Sequence, residues 1–84
     1  MITPQQIRRI RRRIKYRGQP LGQKRFGRLI GTTQVSVCRW EKGHFTPVRP
    51  IEALLRLLDG NEIVLYGLQK INGFPNRHER YKFR

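Results

Sequence analysis

The sequence predicts an all-α fold, a bundle of about five short helices, and three observations carry that prediction. Apolar residues recur at three- and four-residue spacings rather than alternating, which is the helical period. Residues that start and stop helices bound these stretches: Thr3-Pro4, Gly31, Thr33, Pro50 and Asp59-Gly60-Asn61. The length of 84 residues suits one small domain with a modest core and is too short for two.

Thr3-Pro4-Gln5-Gln6 opens the first helix, because Thr3 can cap it, Pro4 fits its first position and Gln6 can complete a capping box. That helix is expected to run to about Lys15, with Ile7, Ile10 and Ile14 as a narrow buried stripe and Arg8, Arg11, Arg12 and Lys15 crowded opposite. Like charges at these spacings cost roughly tenths of a kcal/mol per pair, a cost that a polyanion would relieve. Tyr16 to Pro20 reads as a loop.

A second helix follows from Gln23 to Ile30, where Phe26, Leu29 and Ile30 form the inward stripe. Gly27 inside it costs about 1 kcal/mol in propensity, which a close crossing with the next helix would offset. Gly31 then closes the helix in the left-handed region and Thr33 caps the next. From Thr33 to Lys42 the residues split into two arcs. Ser36, Val37, Trp40 and Glu41 fall on one, anchored inward by Val37 and Trp40; Gln34, Val35, Cys38 and Arg39 fall on the other, facing out. Two helices and a tight turn in this arrangement make a helix-turn-helix pattern.

His44 to Pro50 is a loop held by two prolines, with Phe45 expected in the core. A fourth helix from Pro50 to Leu58 carries Ile51, Leu54, Leu55 and Leu58 on one face. A fifth, Glu62 to Ile71, spreads Ile63, Val64, Leu65, Leu68 and Ile71 over an arc wider than one core contact needs, and the surplus suggests a partner. The sequence therefore divides into a helical domain over residues 1–71 and a basic tail over 72–84, expected as an arm or as a flap over a dimer.

Charge narrows the function. Nineteen Lys and Arg against five acids give a formal charge of +14, and ten of the bases precede Arg39 with no acid among them. Such a field calls for a polyanion. A membrane surface is disfavoured because no basic segment leaves an apolar aromatic face for lipid, and the apolar runs are too short to span a bilayer. A cytoplasmic protein is expected. Cys38 is the single cysteine, so no internal disulfide forms, and with His44 and His78 it makes no zinc spacing. No metal or other cofactor is expected. Five scattered acids and two histidines offer no acid-base pair or nucleophile relay, which argues against an enzyme.

Gln23, Phe26, Gly27, Ile30, Gly31, Val37 and Trp40, followed by Trp40-Glu41-Lys42-Gly43, resemble the phage repressor and Cro superfamily, the Xre family, over residues 3 to about 58. The resemblance implies a lambda-repressor-like fold and a dimeric, autoregulatory repressor that places helix 33–42 in the major groove of a palindromic operator, with half-sites about 34 Å apart. Chemistry makes Gln34 the reader of adenine N6 and N7, Arg39 a reader of guanine O6 and N7 or else a phosphate contact, and Val35 a contact for a thymine methyl. Thr33 and Cys38 complete the base-reading face, Cys38 as a small contact residue rather than a redox sensor.

For phosphates the family pattern implies Gln23 at the start of the second helix, and Lys42, His44, Thr46 and Arg49 in the following loop. Ser36 is a further phosphate candidate, although it falls toward the helix packing. The loop at Tyr16–Pro20 is about three residues longer than is usual in the family and offers Arg17 as another phosphate contact. The family's structural clamp, carried over, pairs Arg13 with Glu41. Homodimerisation is expected through the fifth helix. Two other readings stay open: an antitoxin that binds a toxin as well as its operator, and a basic RNA-binding or architectural protein.

Overall fold

In the computed structural model of the chain, which describes residues 1–72 and 80–83, five helices pack around one core beside a small sheet. The helices are α1 (Pro4–Arg13), α2 (Gln23–Ile30), α3 (Gln34–Glu41), α4 (Arg49–Leu58) and α5 (Glu62–Asn72). The strands are β1 (Ile14–Tyr16), β2 (Gln19–Pro20) and β3 (Lys82–Phe83), ordered β2-β1-β3 with both pairings antiparallel.

The predicted helix starts and stops are present as hydrogen bonds. Thr3 Oγ1 accepts from the Gln6 backbone while the Gln6 side chain accepts from Thr3 N, a complete capping box. Gly31 lies at φ +86°, and the N–H groups of Gly31 and Thr32 reach back to the carbonyls of Arg28 and Gly27. Thr33 caps α3 through Ser36 N at 3.1 Å, and Asn61 Oδ1 accepts from Ile63 N and Val64 N to start α5. The glycine inside α2 is explained by space: a Cβ on Gly27 would lie 2.9 Å from the Thr33 carbonyl carbon, and backbone cannot swing aside.

The all-α expectation is corrected by the sheet. α1 stops at Arg13, two residues short of the expected Lys15, and the chain straightens into β1. The expected loop is instead the tip of a hairpin, in which Arg17 (φ +55°) and Gly18 (φ +80°) both take the left-handed conformation of a two-residue turn. The third strand comes from the far end of the chain, where Lys82 and Phe83 pair with Lys15 and Ile14. Tyr81, beside it, is buried. Its backbone N–H donates to Gln69 Oε1 at 3.1 Å, and the Gln69 side-chain amide donates back to the Tyr81 carbonyl at 3.4 Å. Residues 80–83 of the expected tail thus belong to the fold; 73–79 and 84 lie outside the described residues.

The core joins Ile2, Ile7, Ile10 and Ile14 to Leu21, Phe26, Leu29, Ile30, Val37 and Trp40, and is closed by Leu55, Leu58, Leu65 and Tyr81. Burial pushes the Tyr81 phenol's pKa up, an effect that Arg25 partly offsets. On α4, Leu55 and Leu58 are buried as expected, whereas Ile51 and Leu54 are half-buried. On α5 only Leu65 among the apolar residues is buried; Val64 and Leu68 are half-buried, and Ile63 and Ile71 face out. Phe45 is a second correction, since 58% of it is exposed outside the core. Among the described residues, no helix is long and apolar enough to cross a membrane.

Candidate nucleic-acid interface

α3 follows α2 after a three-residue turn, Gly31-Thr32-Thr33, and is seated by its inward residues. Val37 is fully buried, Trp40 nearly so, and Glu41 leaves the solvent with them. The opposite arc carries Gln34, Val35 and Arg39, all exposed, with exposed Thr33 at its start and half-buried Cys38 between. An amide, a branched apolar group and a guanidinium therefore point away from the core along one helix. Ser36 is half-buried, and its hydroxyl accepts from Thr33 Oγ1 at 3.2 Å, so its local role is at the cap.

What holds α3 at this angle is a buried carboxylate. Arg11 Nε and Nη2 donate to Glu41 Oε2 and Oε1 at 2.7 and 2.9 Å, a two-pronged pair in which the side chains are 15% and 5% exposed. Arg8 Nη2 donates to the Glu41 carbonyl at 2.8 Å, satisfying an acceptor at the end of the helix. Arg11 Nη1 donates to the Leu21 carbonyl at 2.8 Å, and Gln23 Nε2 donates to Glu41 Oε1 at 3.1 Å. One carboxylate thus fastens α1, the entrance to α2 and the end of α3 together.

The expected Arg13–Glu41 clamp is corrected to Arg11–Glu41. Arg13 instead donates to Asp59 Oδ1 at 2.9 Å, with Arg9 on the other oxygen at 3.3 Å. Arg11 and Arg8 are the residues that sequence reasoning missed here, along with Gln69 in docking β3. Gln23 is half-buried and turned to Glu41, a contact that the sequence reading did not assign to it.

Beyond α3, Gly43 (φ +79°) reverses the chain, with Gly43 N donating to the Trp40 carbonyl and His44 N to the Arg39 carbonyl. Lys42, His44, Thr46 and Arg49 follow in or beside this loop, and all are exposed. Arg17 is set apart from them, at the hairpin tip. Its guanidinium carbon lies 5.3 Å from the Tyr16 ring centroid, and that of Arg25 lies 4.5 Å from the same centroid.

The acids are distributed unevenly. Glu41, Asp59 and Glu52 take the ion pairs of Arg8, Arg11, Arg9, Arg13 and Arg56. Two hydrogen bonds from Arg56 hold the Glu52 carboxyl below the usual carboxylate range. Among the described residues, Arg12, Lys15, Lys24, Arg25, Arg39, Lys42 and Arg49 meet no acidic partner. The acids thus neutralise Arg8, Arg9, Arg11, Arg13 and Arg56, and leave the charge of Lys15 on the hairpin, Lys24 and Arg25 on α2, and Arg39 and Lys42 on and beside α3 in place among the described residues.

Comparison with protein-family models, with curated proteins and with solved structures finds no significant match to this chain. Its function is therefore read from the arrangement of its own side chains.

Proposed function

We propose that this protein is a sequence-specific double-stranded DNA-binding transcriptional regulator of the helix-turn-helix kind, similar to the phage repressor and Cro group, that inserts α3 into the major groove. The observation that carries this reading is the two-sided character of α3. Its buried side, Val37, Trp40 and Glu41, is locked to α1 and α2, while Gln34, Val35 and Arg39 stand outward on a rigid support. In the major groove a carboxamide matches adenine, a guanidinium matches guanine and a branched methyl meets thymine. Lys42 and Arg49, which meet no acidic partner among the described residues, supply backbone contacts beside the reading helix with His44 and Thr46, and Arg17 on the hairpin extends them.

One such helix reads only a few base pairs, so two copies acting on an inverted repeat complete the site. Leu57 on α4 and Ile63 and Ile71 on α5 are 61%, 84% and 79% exposed. These exposed apolar side chains support a homodimer. An antitoxin would offer the same residues to its toxin, and this is the second reading they favour. In the preferred one the protein represses its own promoter, binds no cofactor and carries out no catalysis.

Selection of bound duplexes from a random pool at moderate salt tests this reading. The expected product is an inverted repeat whose half-site centres lie about 10 base pairs apart. Recovery of no common sequence would favour a basic architectural or RNA-binding protein instead.

A further inference from the structure

The loop after α3 places an aromatic ring where the sequence suggests core. Phe45 is 58% exposed, and its ring carries the Arg39 guanidinium carbon 5.6 Å from its centroid. Gly43 makes this possible by turning the chain back over the last turn of α3, where His44 N bonds the Arg39 carbonyl, and Pro47, two residues beyond Phe45, is buried. Val35, one turn before Arg39, is 57% exposed. Two apolar groups and a cation without an acidic partner among the described residues thus lie together on the outward side.

A free arginine samples many rotamers, and whatever it binds must first order it. A ring within cation–π range of a guanidinium restricts that motion without using its hydrogen-bond donors. The N–H donors lie in the guanidinium plane and stay available to a ligand. A phosphate can be met from many directions, whereas the paired O6 and N7 acceptors of guanine require a planar, two-pronged approach.

We propose that Phe45 is a positioning residue for Arg39, holding its guanidinium plane so that Arg39 reads a guanine edge in the major groove rather than a phosphate. This rests on the DNA-reading function proposed above and assigns to it a specificity-determining residue outside the reading helix.

The test uses the full chain and the duplex recovered by selection, with each base pair of the half-site changed in turn. Arg39→Ala marks the position that Arg39 reads, which is expected to be a guanine. Phe45→Ala should then lower the preference for guanine at that position by about two- to fivefold, the range of an exposed cation–π contact. Preferences at the other positions should hold. Phe45→Tyr should retain the preference, and Phe45→Leu, apolar but without a ring face, should lose it. Without DNA, the upfield ring-current shift of the Arg39 δ protons should vanish in Phe45→Ala and Phe45→Leu and persist in Phe45→Tyr.

A guanine preference unchanged in Phe45→Ala, an equal loss at every position, or an Arg39-dependent position that is not guanine would overturn the proposal while leaving the DNA-reading function standing. Failure of the wild-type chain to select any sequence would instead remove both.

Discussion

Glu41→Ala should lower the free energy of unfolding by about 3–5 kcal/mol, the range for removing one partner of a buried ion pair. The loss has three sources that act together. The Arg11 guanidinium is left buried without its counter-charge, its side chain being only 15% exposed. The Gln23 amide loses its acceptor. The end of α3 is no longer fastened to α1. Urea unfolding followed by circular dichroism measures the effect. Arg11→Ala should be of the same order, because it leaves the carboxylate stranded instead. Arg13→Ala provides the contrast: its pair with Asp59 is half-exposed and should contribute no more than about 1 kcal/mol. Equal losses at Arg11 and Arg13 would contradict the assignment of the clamp.

Binding to duplex DNA should fall by about three orders of magnitude between 50 and 200 mM salt. The estimate counts only Lys42, Arg49 and Arg17 on each of two copies, about six neutralised phosphates, at a log-log slope of about −0.9 for each. The acid distribution makes the effect large, since Lys42 and Arg49 have no acidic partner among the described residues that would have to be displaced. Fluorescence anisotropy of a labelled duplex over a salt series gives the slope directly. A slope near zero would mean that the basic surface does not lie against the backbone.

Much of this arrangement could be read from residues because it is set within a few positions of the chain. Thr3 with Gln6, Gly31, Thr33 and Asn61 act on backbone groups two to four residues away, Gly31 closing a helix and the other four opening one as their chemistry requires. The split of α3 into a buried and an exposed arc follows from its period alone.

The clamp shows where such reasoning stops. At about 100° per residue, Arg11 and Arg8 lie toward one edge of the Ile7–Ile10–Ile14 stripe, not opposite it as the sequence reading has them, and Arg13 and Arg9 lie toward the other. Both edges are basic. Which edge meets Glu41 and which meets Asp59 depends on how the helices are stacked, a matter that no local spacing decides.

The sheet was hidden for the same reason. Strand β1 finds one partner across a two-residue turn whose first residue is Arg17, not the Asn or Asp that usually marks such a turn. It finds the other at Lys82–Phe83, from the opposite end of the chain. Phe45 likewise lies in a loop that its prolines make certain, yet whether the ring turns in or out depends on the chain reversal at Gly43 and on Arg39.

The most direct measurement compares the selected duplex with a scrambled one of equal length, for the wild type, Gln34→Ala and Arg39→Ala at one fixed salt concentration. Both residues are exposed on α3, so neither change should disturb folding. Each should cost about 1–3 kcal/mol on the selected duplex, and Gln34→Ala should leave the scrambled one bound as before. Arg39→Ala should weaken the scrambled duplex only slightly, through its lost charge. Equal weakening on both duplexes, or no weakening on either, would show that α3 does not read the bases.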